Sequence, residues 1–213
     1  MQKLLGAVFL FLIPITILAQ YQELPPTHGN EYGAGFTVAM SGFGFGGFYR
    51  FALPNYFHIG VDFDFYMMRD DKEYSFYDPY FDYYFEVNKL NRLFIIPINL
   101  ELKKRLFADS IEDSFRPYII GLAGFTFGMN FPKKENYPYA ELGGVDISSL
   151  PQHNEYRFTL NFAIGIGVDF STNDNFYFSI RPQYRFIHFA EPIASKKNHS
   201  TFEIRFELGT RKL

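Results

Sequence analysis

The chain has 213 residues, a formal net charge of −3, 28 Phe and 16 Tyr, and neither Cys nor Trp. That length suits one domain with a sizeable interior, and a weakly acidic balance without a basic stripe gives nucleic acid nothing to hold. The absence of cysteine excludes disulfides, thiolate zinc sites, a thiol nucleophile and a lipid-modified N-terminal Cys.

In chain order, residues 1–19 (MQKLLGAVFLFLIPITILA) carry one positive charge, at Lys3, before an apolar run that reaches Leu18 and gives way to Gln20. This is the layout of a secretory signal peptide, so export is expected, with a retained anchor helix as the alternative. Residues 20–32 read as a polar, proline-containing lead-in, and 33–213 as a single folded unit.

From there the residues alternate with a period of two, the spacing at which side chains leave a β-strand on opposite faces. Phe36, Val38 and Met40 alternate with Gly35, Thr37 and Ala39; Phe43, Phe45, Tyr49 and Phe51 with Gly44, Gly46, Phe48 and Arg50. Phe57, Ile59, Val61, Phe63 and Phe65 alternate with His58, Gly60, Asp62, Asp64 and Tyr66. Phe94, Ile96, Ile98, Leu100 and Leu102 alternate with Ile95, Pro97, Asn99, Glu101 and Lys103. Residues 116–130 (RPYIIGLAGFTFGMN) are strand-like, but their two faces do not separate. Phe158, Leu160, Phe162, Ile164, Ile166, Val168 and Phe170 then alternate with Arg157, Thr159, Asn161, Ala163, Gly165, Gly167 and Asp169. The last two segments set Phe176, Phe178, Ile180, Tyr184 and Phe186 against Tyr177, Ser179, Arg181, Gln183 and Arg185, and Phe202, Ile204, Phe206 and Leu208 against Thr201, Glu203, Arg205 and Glu207.

About eight strands follow, and no amphipathic helix. Ten residues at about 3.3 Å each, tilted by about 40°, rise roughly 25 Å, the height of an outer membrane's apolar band. Connections at 53–55, 105–115 and 171–175 are short or intermediate, and they alternate with longer ones at 69–88, 130–155 and 190–199. Outer-membrane barrels alternate in this way, with short periplasmic turns and long outside loops. The first hairpin, at Ser41 and Gly42, is tight.

The deciding question is which row meets water. The non-apolar row is rich in Gly, Ala, Thr and Asn, with Arg set against Asp and Glu and little Lys, whereas a solvated surface carries interspersed charge and few glycines. An eight-stranded barrel has an interior just wide enough for side chains to fill, which suits small residues and opposite charges. The small and ionic row therefore belongs inside and the apolar row faces lipid, with the aromatic excess in two interfacial girdles. The expected fold is all-β, a closed antiparallel up-and-down transmembrane barrel of eight strands. A soluble, exported lipocalin-like barrel is the alternative.

LNRLFIIPINLELKKRLF followed by RPYIIGLAGFTFGMN resembles a recurring strand pair of the small bacterial outer-membrane β-barrel domain proteins, a porin-family-like group. That pair has an "IPLxLK"-like core and then a strand opening "RPYxxGG". The resemblance implies an eight-stranded outer-membrane barrel with no fixed activity, and separately no periplasmic anchoring domain is expected after the last strand. The chain ends RKL, without the terminal aromatic common in that group, and Phe206 is the nearest substitute.

Inside such a barrel, Arg50, Arg157, Arg181, Arg185 and Arg205 are expected to meet Asp62, Asp64, Glu101, Asp169, Glu203 and Glu207 as a lumen charge network, since buried charge needs matched partners. A thin polar conduction path through the same residues is the alternative. His58, Asp62 and Asp64 share one strand face, yet carboxylates two apart stand about 7 Å from each other, so arginine partners explain them better than a metal. No cofactor, metal or catalytic residue is assigned. A hydrolase reading, by analogy with lipid A-modifying acyl hydrolases on such barrels, would draw on His188, His199 and Ser200. In the loop at 69–87, Tyr74, Phe76, Tyr77, Tyr80 and Phe81 are candidates for contact with an extracellular protein or glycan, because aromatic side chains give interface area at low entropy cost. Tyr83 to Val87 are otherwise read as prolonging the fourth strand beyond the bilayer. The expected whole is a non-enzymatic monomer among outer-membrane lipid, with a structural or surface-binding role carried by its loops.

Overall fold

The computed structural model describes residues 29–69, 74–80, 82–87, 91–108, 110–111, 114–132, 153–171 and 175–212. Residues 1–19, expected to be a signal peptide, lie outside them. The elements in chain order are β1 (Asn30–Ala39), β2 (Gly42–Leu53), β3 (Phe57–Met68), β4 (Tyr74–Asp78), β5 (Tyr83–Val87) and β6 (Leu93–Arg105). They continue with β7 (Phe115–Asn130), β8 (Glu155–Ser171), β9 (Phe176–Ile193), β10 (Lys196–Asn198) and β11 (Thr201–Lys212).

Eight of these close into one antiparallel cylinder in the order β11, β1, β2, β3, β6, β7, β8, β9, with β9 pairing back onto β11. The first strand meets the last over ten residue pairs, from Asn30 opposite Lys212 to Ala39 opposite Glu203. Closure leaves no edge with unpaired backbone groups, the condition for strands to cross hydrocarbon.

The layout is inverted relative to a water-soluble domain. Ile164 is 64% exposed and Leu160 68%, while Arg50, Arg181 and Arg205 are each at 0%. The soluble alternative requires the apolar row at the centre and is overturned. Phenylalanine is spread over the whole height of the outer face, as in the stacked pair Phe162 and Phe186 at 4.2 Å, and is not confined to two girdles. Its ring is apolar throughout and suits any depth. Tyr32 and Tyr49 stack at the end bearing the chain termini, and Tyr156 packs with Phe127 and Phe131 at the other, where a hydroxyl reaches water.

Several boundaries shift. β1 begins at Asn30, so residues 30–32 belong to the wall and not to a lead-in. The facing of β7 resolves with Arg116, Tyr118, Ile120, Leu122 and Thr126 inward and Phe115, Ile119, Phe125 and Phe127 outward. Its inward apolar residues pack on Ala163 in a small internal cluster, so both of its faces read as apolar. Tyr83 to Val87 do not prolong a barrel strand, because β5 pairs only with β4 in a separate two-stranded sheet. Much of 190–199 is ladder and not loop: β9 runs to Ile193, turns through Ala194 and Ser195 at positive φ, and returns as β10. At 17 residues, β8 rises about 43 Å at that same pitch and tilt, so the wall projects well above an apolar band of about 25 Å.

Candidate functional site

Strand periodicity delivers the inward charges to the axis at three heights. Toward the loop-bearing end, Arg185 donates from Nε to Glu203 Oε1 at 2.9 Å and from an NH2 nitrogen to Asp64 Oδ2 at 3.3 Å. The Tyr66 hydroxyl donates to Glu203 Oε2 at 2.7 Å, and Gln183 donates to the same carboxylate. Arg205 bridges downward, meeting Asp64, lying 2.9 Å from Asp62 Oδ2 and donating from Nε to Glu207 Oε1 at 2.9 Å.

At mid-height Arg50 holds Glu207 through two contacts of 3.0 Å and donates to Glu101, while Arg181 lies 3.0 Å from Glu207 and 3.8 Å from Glu101. The Arg50 guanidinium also lies over the Phe48 ring, 3.8 Å from its centroid, which supplies an apolar partner for its flat face.

Toward the end bearing the termini, Lys103 donates to Glu31 at 2.9 Å and to Asp169 at 2.7 Å. Arg211 donates to the same two carboxylates at 2.9 and 3.3 Å. His58 stands here with Nε2 3.1 Å from the Gly29 carbonyl oxygen, apart from Asp62 and Asp64, whose partners are arginines. Among the described residues no group of three or more His, Cys, Asp or Glu is arranged to hold a metal ion.

The structure thus brings together Arg50, Asp62, Asp64, Glu101, Arg181, Arg185, Glu203, Arg205 and Glu207, with Asp169 one tier below. Arg157 stands apart. It belongs to the inward row but lies at the loop-bearing rim, one-third exposed, paired at 3.1 Å with the exposed Glu191. Sequence reasoning missed Glu31, Lys103 and Arg211. Each keeps step with its strand's inward row, Glu31 with Gly33 and Gly35, Lys103 with Glu101, and Arg211 with Glu207.

A second missed feature caps the network. Ala39, Tyr66, Met68, Leu93, Ile95, Ile187, Phe189 and Ile193 form a buried apolar cluster inside the loop-bearing end. The turn between β9 and β10 holds it in place, with His199 buried and its Nε2 3.2 Å from the Ile193 carbonyl oxygen. The charged middle thus lies beneath an apolar stopper.

For the hydrolase residues, His188 is exposed on the outward row while His199 is buried, so the two histidines occupy opposite faces of the wall. The Ser200 hydroxyl oxygen accepts from the Ile187 amide at 3.2 Å and lies 2.6 Å from Asn198 Oδ1. Of the loop candidates, Tyr77 and Tyr80 are 47% and 94% exposed on the β4–β5 hairpin. Tyr74 and Phe76 lie on β4, and Phe81 lies outside the described residues.

No protein-family model matches the chain, and no curated protein does. Solved structures do. Neisserial surface protein A is similar over 87% of this chain and 96% of its own, with a TM-score of 0.51 at 11% identity. The N-terminal β-barrel domain of Pseudomonas aeruginosa OprF is similar over 87% and 98%, again at 0.51, with 10% identity. The chain has the fold of the small outer-membrane β-barrels. Pseudomonas aeruginosa outer membrane protein OprG is also similar, over 87% and 96%, with a TM-score of 0.47 at 12% identity.

Proposed function

We propose that the chain is a non-enzymatic, monomeric outer-membrane barrel with a closed lumen, whose work is done at its loop-bearing end. The observation that carries this is the inverted partition of side chains: exposed Ile164 and Leu160 outside, fully buried Arg50, Arg181 and Arg205 inside. Such an outer face is stable only against acyl chains, and the cylinder has no open strand edge.

The matched charges and the apolar stopper favour a structural role over a pore. The β4–β5 hairpin supplies a contact surface, with Tyr77 and Tyr84 packed at 5.2 Å and Tyr80 almost wholly exposed at the tip. Its partner class is an extracellular protein or glycan.

Cell fractionation with gel mobility before and after boiling tests the location. Recovery in the outer membrane, with a faster unheated band, is expected. A soluble periplasmic protein without a heat-dependent shift would refute the reading. Planar-bilayer recordings test closure, and regular conductance steps would replace the structural role with a pore.

A further inference from the structure

We infer that a notch on the outer face, beside the first hairpin, seats a phosphate-bearing lipid of the surrounding leaflet. This rests on the outer-membrane reading above. The β1–β2 turn closes at Met40 and Ser41, Gly42 pairs with Met68, and Met68 with Leu93, so β2, β3 and β6 reach this rim side by side. At this rim lies a cavity of about 570 Å3, lined on its outer side by Val38, Met40, Phe43, Met67 and Phe94. These five belong to the outward rows, while Ala39, Met68 and Leu93, also in the lining, are buried members of the internal apolar cluster, so the cavity reaches from the outer face over the rim.

Two arginines crown it. Met68 and Leu93 are the last pair of β3 and β6, and Arg69 and Arg92 are the residues next to that pair on the two segments. Each keeps the outward parity of its strand, both are exposed, and both line the cavity. Their backbones are fixed: the Arg69 amide donates to Ser41 O at 2.6 Å, and Arg92 and Phe131 exchange amide-to-carbonyl bonds of 3.2 and 3.1 Å. Like charges lining one cavity repel. Among the described residues neither guanidinium has an acidic partner within 4.0 Å.

An anion between the two forks removes that repulsion. Phosphate offers enough oxygens to satisfy both, by charge-assisted bonds that guanidinium geometry suits. The methionines and phenylalanines beneath would take the acyl chains, which the adjoining bilayer already supplies. The cavity therefore matches an anionic amphiphile in both its halves.

The test compares wild type with Arg69→Gln/Arg92→Gln in phosphatidylcholine vesicles, with and without phosphatidic acid. The readouts are the temperature at which the fast-migrating gel band is lost and the lipid retained in native mass spectrometry. Phosphatidic acid is expected to raise the wild-type midpoint, and the double variant should retain about tenfold less of it. Lys197→Gln, an exposed charge elsewhere on the same end, should behave as wild type. Arg69→Lys/Arg92→Lys keeps the charge without the fork and should fall between, which preserves the test if the glutamine variant fails to fold. Equal retention in wild type and variants overturns the site, and a matching effect of inorganic phosphate overturns the lipid as its source. A wild-type chain that never inserts overturns the membrane reading as well, so the two failures are distinguishable.

Discussion

Arg50 on β2 and Glu207 on β11 meet fork to fork across the intervening β1, NH1 to Oε2 and NH2 to Oε1 at 3.0 Å each. Because β1 lies between their strands, the pair ties β2 to β11 through the lumen independently of the backbone ladder. Glu207 also meets Arg181 and Arg205, so one carboxylate serves three guanidiniums. Removing it leaves buried cations uncompensated. Glu207→Ala should cost about 3–5 kcal/mol, read as a lower urea midpoint in lipid vesicles. A cost near zero would mean that water fills the lumen and screens the cluster.

Orientation is tested by neighbours on one strand. Ile164→Arg puts a charge on the exposed outer row and should cost about 2–4 kcal/mol if that position lies near the bilayer midplane. Asn161→Asp adds charge to the buried row, where Arg185 already lies 3.5 Å from Asn161 Oδ1, and should be far milder. The measurement is the unfolding free energy in vesicles. Equal tolerance at both positions would contradict the lipid-facing assignment.

Two glycines of the inward row act as seats for tyrosine rings. Gly167 stands opposite Tyr118, and a Cβ added there would come within 2.9 Å of the Tyr118 Cε1 atom. Lying over that backbone, the ring brings its hydroxyl to 2.7 Å from Ser179 Oγ. Gly209 faces Tyr177 in the same way. Gly167→Ala should destabilise by about 1–3 kcal/mol through overpacking, and pairing it with Tyr118→Leu should return part of the loss. A purely additive double variant would show that the ring is not the obstacle.

How much of this was legible follows from where parity holds. The row of small and ionic residues named the lumen from Arg50 to Arg205, because a period of two leaves no choice of face once one residue is placed. Glu31 and Arg211 keep the same parity but sit at chain ends, where polar residues pass for tails. The stopper was hidden for the opposite reason: Ile187, Phe189 and Ile193 are apolar residues on the inward row, against the rule that governs the rest. They stand at the loop-bearing rim, where β9 turns through Ala194 and Ser195, and an apolar side chain there leaves water by turning to the axis. Through that turn 190–199 folds as β9 and β10 and not as an open loop.

The β4–β5 hairpin gives the last test. The Tyr77 hydroxyl donates to Asp82 Oδ1 at 2.7 Å, and Asp82 sits at φ 48° in the turn. A neighbouring carboxylate that accepts the phenolic proton favours the protonated form, so Tyr77 is held above the usual tyrosine range. Whatever this bond adds to hairpin order is present below the ordinary tyrosine pKa and is lost as pH rises through the raised value. Asp82→Asn removes the charge and should bring the Tyr77 titration back down, measured by ultraviolet difference absorbance in a variant series. Tyr80, 94% exposed at the same tip, makes a separable prediction. Tyr80→Ser should leave barrel stability within about 0.5 kcal/mol while weakening attachment to a protein or glycan surface. A large stability loss would instead mean that the tip folds back onto the rim.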